Sequence, residues 1–412
     1  MGIKILHTAD IHIGVENYGS FNPKTALNTR VEDFLNSFDI IVNHAINNNF
    51  DLVIFAGDAF KVQSPNSTHQ REFAKRVNKL SENNIPTILL AGNHDITSKY
   101  YEATSMDIYS ALKIKNVYVI ERAQNFNIET KNGLVQIIAI PYILKSHLLT
   151  YEKTKGKTIE EIDKYLIESL DYIINKFISE SNLNLPLIGI FHLGIDNAVL
   201  GSEKDLMIGK GFTVPLSVVA KQEFDYVALG HIHKHQVLSK KPLTIYPGSI
   251  ERIDFGEEND DKGFIIVDLE KNNTTYEFIK LPAREFLTIN IDLTNINDED
   301  INNFILNKIE EKDVKNKIVR LKYTINFEKT YLINDKDIRE KLKDTFFFKI
   351  EPNILDSRTK NRSRNYEINE SVSNKPIEAL KKYLESIQIQ DDFKKDIVDR
   401  ANKLLEKVFL EK

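Results

Sequence analysis

Two observations predict an α/β fold for this chain. From residue 1 to about residue 280, short apolar runs alternate with amphipathic helical stretches, which is typical of a layered α/β domain. Five of these apolar runs end at a polar residue that can bind a metal ion. Because ligands of open α/β sheets bind beyond the carboxyl ends of the strands, we expect these residues to meet at one edge.

The overall composition limits the size of the domains and the chemistry of any metal site. A chain of 412 residues exceeds the roughly 250 to 300 residues at which single cores stop growing, so two or three domains are expected. Cysteine is absent, which excludes disulfides and thiolate ligands and leaves nitrogen and oxygen donors. A net charge of -5 argues against coating nucleic acid through bulk charge, although a local basic surface could bind phosphates.

The sequence also predicts where the protein resides. Its first residues lead directly into a strand-like run, with no export signal, and no apolar stretch approaches the roughly 18 to 20 residues that a bilayer requires. We therefore expect a cytoplasmic protein without membrane contact.

Each of the five apolar runs precedes a possible metal ligand. In chain order they are IKILHTA before Asp10, DLVIFAG before Asp58, PTILLAG before Asn93, LPLIGIF before His192 and DYVALG before His231. His233 and His235 follow His231 at every second position. Because residues two apart in extended backbone share a side, His231 and His233 can converge on one ion. Each short motif is weak alone, but their combination and order form a specific signal.

Seven side chains make up the candidate metal set, which has enough donors for two divalent ions: Asp10, His12, Asp58, Asn93, His192, His231 and His233. One carboxylate must then serve both ions. A carboxylate such as Asp58 has two oxygens and can bridge two cations roughly 3.5 to 4 Å apart. We therefore predict that Asp58 is the bridge.

The last third of the chain has a different pattern. Residues 282–353 show a β-α-β-α-β order and are expected to form a small second domain after a first domain of residues 1–281. Residues 354–375 are polar and read as a linker, and residues 376–412 resume helical periodicity as two amphipathic helices. Their apolar stripes could dock on a partner or pack back on their own chain.

The order DxH, GD, GNHD, a single strand-end histidine and GHxH resembles the calcineurin-like metallophosphoesterase superfamily over roughly the first 280 residues. This resemblance implies a sandwich of two β-sheets flanked by helices. Two segments, ILHTADIHIG and YPGSIERIDFGEENDDKGF, are further similar to the SbcD family and its "meiotic recombination eleven" relatives, which are double-strand-break repair nucleases.

The resemblance also implies how the seven donors divide between two Mn²⁺ ions. One ion would be held by Asp10, His12, Asp58 and His233, and the other by Asp58, Asn93, His192 and His231. The donor types alone also admit iron or zinc. His94 would stabilise the transition state or protonate the leaving group, and Asp95 could orient it.

The implied reaction is phosphodiester hydrolysis by a manganese-dependent 3′–5′ exonuclease and a single-strand or hairpin endonuclease. One position departs from the family pattern, because many members have histidine three residues after the GD aspartate, where this chain has Lys61. Lysine keeps a positive charge for a possible DNA backbone contact but cannot act as a neutral imidazole. Endonuclease activity is therefore expected more strongly than exonuclease activity.

The resemblance implies several partners. These are DNA, bound in part by a cap at residues 282–353, an SMC-like coiled-coil ATPase of the SbcC or Rad-fifty type bound by the C-terminal helices, and a second copy of the chain in a homodimer. Two other function classes stay open. One is a metallophosphoesterase acting on a phosphoprotein or a cyclic nucleotide, and the other is a non-catalytic scaffold that binds DNA and the ATPase.

The remaining histidines are expected to be structural. His235 shares the alternation of His231 and His233, but the motif ends at His233, so we predict a polar loop or strand residue. His7 is expected to be a hydrogen-bonded core histidine, His44 to lie on a helix, and His69 and His147 to belong to no site.

Overall fold

The computed structural model describes residues 2–97, 103–144, 158–199 and 213–355, together with residues 380, 384, 394–395 and 397–401. Its strands are β1 (Ile3–Thr8), β2 (Phe21–Asn22), β3 (Leu27–Asn28), β4 (Leu52–Phe55), β5 (Thr87–Leu90), β6 (Val117–Ile120), β7 (Gln124–Thr130), β8 (Gly133–Ile140), β9 (Leu187–His192), β10 (Gly194–Ile195), β11 (Thr213–Val214), β12 (Tyr226–Gly230), β13 (Gln236–Lys240), β14 (Leu243–Tyr246), β15 (Gly263–Leu269), β16 (Thr275–Lys280), β17 (Phe286–Asp292), β18 (Ile318–Asn326) and β19 (Phe347–Leu355).

The helices alternate with these strands. They are α1 (Thr29–Asn47), α2 (Ser67–Glu82), α3 (Asp107–Leu112), α4 (Ile159–Ser179), α5 (Leu216–Val219), α6 (Ile301–Glu310) and α7 (Asp335–Lys341), with short 3₁₀ helices at Phe255–Glu257, Asp298–Asp300 and Phe327–Leu332. In the part of the chain that is described, none of the helices has the length and apolar character needed to cross a membrane.

Two six-stranded sheets organise the first 280 residues. The first has the order β16-β15-β1-β4-β5-β6, in which β1, β4, β5 and β6 pair in parallel and β15 and β16 are antiparallel. The second has the order β13-β14-β12-β9-β8-β7, with β14, β12, β9 and β8 in parallel. The expected single edge is therefore wrong, because the strands before the candidate ligands belong to both sheets.

The inner faces of the two sheets form one core. Alternate strand residues point to opposite faces, so Ile54 of β4 packs in the core between the sheets while Val53 faces the helices. In β9, Ile188 likewise packs in the core between the sheets, and Phe191 packs in the core on the helix-facing side of the second sheet. The fold is thus the sandwich of two sheets flanked by helices that the family resemblance implies.

Amphipathic helices cover the outer faces. Helix α1 begins after Asn28, whose side chain accepts a hydrogen bond from the Arg30 N–H, and its buried face joins the core outside the first sheet. Helix α4 begins with a capping box between Thr158 and Glu161 and packs a stripe of every fourth residue against the second sheet: Leu166, Leu170, Ile174 and Ile178.

After residue 282, the elements follow the predicted β-α-β-α-β order, and the three strands form a sheet in the order β17-β18-β19. The chain divides into two compact units. The first comprises Met1–Ile291, Asn302–Tyr323 and Asn334–Glu351, and the second comprises Asp292–Ile301, Thr324–Ile333 and Pro352–Lys412. Within the second unit, the Lys329 Nζ lies 2.8 Å from an Asp298 carboxylate oxygen.

The expected domain boundaries after residues 281 and 353 stay predictions. The linker at residues 354–375 and the helical pair at residues 376–412 lie almost wholly outside the described residues, apart from the end of β19 and single positions between 380 and 401. His147 also lies outside them.

Candidate metal centre

The seven candidate ligands follow five strands of the two sheets. Asp10 and His12 come after β1, Asp58 after β4, and Asn93 after β5 in the first sheet. His192 ends β9, while His231 and His233 follow β12 in the second sheet. Since parallel strands end on the same side, both sheets present these residues at neighbouring edges. Five of the seven side chains are buried: Asp10, His12, Asp58, His192 and His233.

Four of the seven ligands have left-handed backbone, which residues other than glycine rarely adopt. The φ angles are 52° at Asp10, 48° at His12, 56° at Asp58 and 105° at His231. Backbone hydrogen bonds hold these turns together, since the Asp10 N–H donates to the Gly57 carbonyl at 3.0 Å and the His12 N–H to the Asp58 carbonyl at 3.0 Å. Such strain persists only where the surrounding structure enforces it, and it concentrates at functional sites.

One group of donors lies around His12. Its Nε2 atom is 3.0 Å from the His233 Nε2, 3.7 Å from an Asp58 carboxylate oxygen and 4.0 Å from an Asp10 carboxylate oxygen. Asp10, His12 and His233 each offer a ligand atom within 4.8 Å of the others, which brings three of the predicted ligands to one point.

A second group lies around the side-chain oxygen of Asn93. The His231 Nδ1 is 2.8 Å from this oxygen and the His192 Nε2 is 3.1 Å from it. The His192 Nε2 also lies 3.4 Å from the Asp58 carboxylate oxygen that faces His12. Asp58 therefore lies between the two groups, where the sequence predicts the bridging ligand.

The spacing of these atoms fits a metal ion. Nitrogen and oxygen ligands at roughly 2.0 to 2.2 Å from a tetrahedral or octahedral ion lie roughly 2.9 to 3.6 Å from each other. The distances of 3.0 Å from His12 to His233, 3.1 Å from His192 to Asn93 and 3.4 Å from His192 to Asp58 fall in this range. The imidazole, carboxylate and amide donors suit Mn²⁺, Fe²⁺ or Zn²⁺.

Mutual interactions set the charge state of Asp58 and His192. Burial alone would raise the pKa of Asp58, but His192 and His12 hold that pKa well below its usual range. Burial would lower the pKa of His192, yet the Asp58 carboxylate raises it to about 9. In the metal-free protein the two side chains form an ion pair, so a cation that binds His192 must displace its proton.

The other donors are mostly uncharged before a metal binds. Burial lowers the pKa of His12 well below its ordinary value and that of His231 to about 3, so both imidazoles are neutral, which is the form that binds metals. Burial raises the pKa of Asp10 to about 7, against the opposing influence of His192 and His233. A divalent cation would stabilise the ionised form of Asp10.

His94 lies on the loop after β5, directly beside these donors. Its backbone N–H donates to an Asp58 carboxylate oxygen at 2.8 Å, and its ring is hydrogen-bonded to the Lys61 backbone. Burial lowers the pKa of His94, so this imidazole is neutral at pH 7. His94, His12 and Asp58 also offer ligand atoms within 4.8 Å of one another, so His94 is close enough to act on a group bound at the centre.

Asp95 fixes the loop that carries His94. Its carboxylate accepts hydrogen bonds from the N–H groups of Ala59 at 3.1 Å, Phe60 at 3.3 Å and Gly92 at 2.9 Å. These three bonds go to backbone groups rather than to the His94 ring, which the Lys61 backbone holds. Asp95 therefore ties the loop after β5 to the loop after β4.

Sequence reasoning missed two buried residues behind His233. The His233 Nδ1 donates to a Glu257 carboxylate oxygen at 2.9 Å, and the other oxygen of Glu257 lies 2.7 Å from the Lys262 Nζ. Burial would raise the pKa of Glu257, but Lys262 and His233 hold that pKa far below its usual range. Both residues lie in the segment YPGSIERIDFGEENDDKGF, whose similarity to a nuclease family was the available signal.

The histidines that we expect to be structural have other contacts. His7 is fully buried, and its Nδ1 lies 2.7 Å from the Tyr226 hydroxyl, as predicted for a core histidine. His235 donates through Nδ1 to the Tyr246 carbonyl at 2.9 Å and stacks on Phe278 with ring centroids 4.1 Å apart. His44 lies on α1 and His69 near the start of α2.

Comparison with known proteins agrees with this geometry. The family model for calcineurin-like phosphoesterases matches residues 3–235. The chain is 30% identical to the SbcD component of nuclease SbcCD from Staphylococcus epidermidis, over 73% of this chain and 75% of that protein. It is 29% identical to the DNA double-strand break repair protein Mre11 of Methanocaldococcus jannaschii, over 76% of this chain and 74% of that protein.

A third relative is the Mre11 protein of Archaeoglobus fulgidus, which is 25% identical over 70% of this chain and 62% of its own length. The family match includes all seven candidate ligands and extends over more than half of the chain. The sandwich fold, the paired donor groups and these matches together establish that the chain belongs to the calcineurin-like phosphoesterase family.

Proposed function

We propose that this chain is a manganese-dependent DNA nuclease of a double-strand-break repair complex. The observation that carries the proposal is the position of Asp58 between two groups of metal donors, which is the arrangement needed to hold a pair of divalent cations. The similarity to relatives named as a component of nuclease SbcCD and as Mre11 repair proteins supports DNA as the substrate. Hydrolysis of a nucleic-acid phosphodiester is the reaction.

The two groups of donors correspond to two ion sites. Asp10, His12, Asp58 and His233 would hold one ion, and Asp58, Asn93, His192 and His231 the other. The close approach of the His12 and His233 Nε2 atoms at 3.0 Å supports the first set, and the convergence of His231 and His192 on the Asn93 oxygen supports the second. Carboxylate, imidazole and amide donors are compatible with manganese.

Bound cations would polarise a phosphate group and acidify a water molecule for in-line attack. The residues of the chain supply position and proton transfer. The Asp58 oxygen that accepts the His94 N–H ties the loop of His94 to the metal donors, so the imidazole would lie beside a phosphate bound there. His94 would stabilise the charge that develops on the leaving oxygen or, in its protonated form, would give that oxygen a proton.

Lys61 would contact the DNA backbone. Its backbone holds the His94 ring, so the residue lies beside the reacting group, and its side chain is only partly buried. A lysine there offers a positive charge to a phosphate of the substrate. It does not offer a neutral imidazole, so endonuclease cleavage of hairpin and single-stranded DNA is the primary activity, with 3′–5′ exonuclease activity dependent on the remaining site residues.

The proposed partners are those that the family resemblance of the sequence implies. The protein would act with an SMC-like coiled-coil ATPase that binds residues 376–412, as a homodimer, with residues 282–353 contributing to DNA contact. The amphipathic stripes in the sequence of residues 376–412 support a helical docking contact, and the name of the relative, a subunit of nuclease SbcCD, supports a partner protein.

The decisive experiment is digestion of end-labelled duplex and hairpin DNA with Mn²⁺ present. We expect cleavage that EDTA stops and that Asp58→Asn reduces by at least about 100-fold, because the amide removes the charge shared by both ions. Asp225→Asn is the matched control, since this buried carboxylate bonds to the Leu187 N–H and to Lys271, away from the metal donors. Full cleavage by Asp58→Asn would contradict the proposal.

Bis-nitrophenyl phosphate and plasmid DNA, assayed side by side, separate a nuclease from another metallophosphoesterase. Both enzymes need the same metal donors, so both hydrolyse the small diester. We expect the plasmid to be cut as well. Hydrolysis of the small diester with intact plasmid and hairpin DNA would favour a phosphatase or a cyclic phosphodiesterase.

A further inference from the structure

Two buried charges contact His233 from behind the metal centre. Glu257 accepts from the ring Nδ1 at 2.9 Å, and the Lys262 Nζ donates to the backbone carbonyl of the same histidine at 3.0 Å. The two charges lie 2.7 Å apart, and both side chains are fully buried. His233 is therefore held at its ring and at its backbone by one ion pair.

The pair is itself fixed by the segment that contains it. The Lys262 Nζ also donates to the Ser249 hydroxyl at 2.9 Å, and the second oxygen of Glu257 accepts from the Ile253 N–H at 3.2 Å. Gly248 lets the chain pass close to the histidine, because a Cβ atom at this position would lie 2.6 Å from the His233 carbonyl oxygen. The carboxylate has little freedom to move away from the ring.

Stability alone gives little reason to bury these two charges. Removing a carboxylate and an ammonium from water costs several kcal/mol for each ion, and apolar replacements of a buried ion pair are often neutral or stabilising. A carboxylate behind a metal-binding histidine, by contrast, fixes the tautomer and the ring orientation and makes the ligand nitrogen more basic. With Nδ1 donating to Glu257, the His233 Nε2 lone pair points toward His12.

His192, a histidine of the second group of donors, has a different partner behind its ring. The outer nitrogen of His192 donates to the neutral Ala56 carbonyl at 2.7 Å rather than to a carboxylate. We propose that the Glu257–Lys262 pair is a positioning device for His233 and that it sets the affinity of the ion shared by His12 and His233, separately from the other ion. The inference rests on the two-ion centre of the proposed function.

Mn²⁺ titration of the metal-free full-length protein tests the inference, with free Mn²⁺ measured by electron paramagnetic resonance. We expect two sites in the wild-type protein. Glu257→Gln keeps the size of the side chain and removes its charge, so one site should weaken by about 10- to 100-fold while the other keeps its affinity. The thermal unfolding midpoint of the metal-free variant shows whether it is folded.

A second variant covers the case in which Glu257→Gln does not fold because Lys262 is left as an unpaired buried charge. The double variant Glu257→Gln/Lys262→Met removes both charges together, a change that buried pairs often tolerate. We expect the same weakening of a single site, because the carboxylate behind His233 is again absent.

Glu251→Gln is the matched control. Glu251 is also buried in this segment, but its carboxylate bonds to the Ser37 hydroxyl at 2.8 Å and the Arg284 N–H at 3.0 Å rather than to a site histidine. It should lower the unfolding midpoint and leave both Mn²⁺ affinities unchanged. The inference would be overturned if folded Glu257→Gln or the double variant kept both wild-type Mn²⁺ affinities. It would also be overturned if Glu251→Gln lost as much Mn²⁺ affinity as Glu257→Gln. Neither result would contradict the metal centre itself. A wild-type protein that binds no Mn²⁺ would overturn the metal centre as well.

Discussion

His94 lies close enough to the metal donors to be either a metal ligand or an acid–base group. It lies with His12 and Asp58 in a group whose ligand atoms are within 4.8 Å of one another, so it could in principle be a ligand. Its ring, however, is hydrogen-bonded to the Lys61 backbone, and His192, His231 and His233 already supply imidazoles to the two ion sites. We predict that His94→Ala slows DNA cleavage by about 100- to 10,000-fold, the usual contribution of an acid–base group, with both Mn²⁺ affinities retained.

Single-turnover cleavage of hairpin DNA together with Mn²⁺ titration measures both quantities. His235→Ala is the control, because His235 lies two residues from His233 but bonds to the Tyr246 carbonyl and stacks on Phe278. It should cost about 1 kcal/mol of unfolding free energy and change neither cleavage nor ion binding. Loss of one Mn²⁺ site in His94→Ala would make His94 a ligand instead.

Individual residues also show what the sequence could and could not predict about the site. The seven donors were predictable because each follows an apolar strand, and strand ends are defined by local pattern. The contact of Glu257 with His233 joins residues 24 positions apart through a 3₁₀ turn, and no periodicity encodes that contact. The left-handed backbone at Asp10, His12, Asp58 and His231 was not predicted, since Asp and His adopt it more often than most residues but still at only a small fraction of their positions.

At the scale of strands and their turns, glycines let the loops of the two sheets approach each other. Gly57 has a φ of 102°, and a Cβ atom there would lie 2.0 Å from the His192 Nδ1. The same nitrogen donates to the Ala56 carbonyl, so the methyl group would force this ligand out of position. We predict that Gly57→Ala lowers the unfolding free energy by about 1 to 3 kcal/mol and weakens Mn²⁺ binding at the site of His192.

Gly133→Ala is the matched variant for Gly57→Ala. Its φ of 134° imposes comparable backbone strain, but the nearest atom to the added Cβ is the Ile3 Cδ1 at 3.8 Å, so nothing is displaced. Urea unfolding of both variants with Mn²⁺ titration separates strain from displacement. Equal ion affinities in the two variants would show that the close approach of Gly57 to His192 has no effect on the site.

The strands were predictable where a local run of apolar residues marks a buried segment. The apolar runs before Asp10, Asp58 and His192 form β1, β4 and β9. Alternate side chains of these strands point to opposite faces of their sheet. One face of each sheet packs in the core between the sheets, and the other packs against helices. Assignment of β9 and β12 to a second sheet did not follow from those runs. Pairing depends on contacts between distant strands, and an apolar run buried on both faces reads the same in either sheet.

At the scale of the whole molecule, the candidate site and the stripes proposed to bind a partner lie far apart in the sequence. The candidate ligands, His94 and the Glu257–Lys262 pair all lie between residues 10 and 262, whereas the stripes expected to bind the ATPase begin at Ile377. Leu384, one member of those stripes, is 4% exposed in the structure, so this side chain is buried. Packing on the chain itself and docking on the ATPase therefore make different predictions for a truncated protein.

We predict that deletion of residues 374–412 leaves Mn²⁺-dependent DNA cleavage within about twofold of the full-length protein and abolishes co-purification with the SMC-like ATPase. The reason is that the deletion removes no metal donor, while the stripes supply the apolar anchors that a helix needs to dock in a groove. Co-expression with a tagged ATPase measures the contact, and thermal unfolding of the truncated chain measures its stability. If the stripes pack only on their own chain, the unfolding midpoint should fall while the ATPase still co-purifies. Unchanged co-purification would thus assign the stripes to the core and place the ATPase contact elsewhere on the chain.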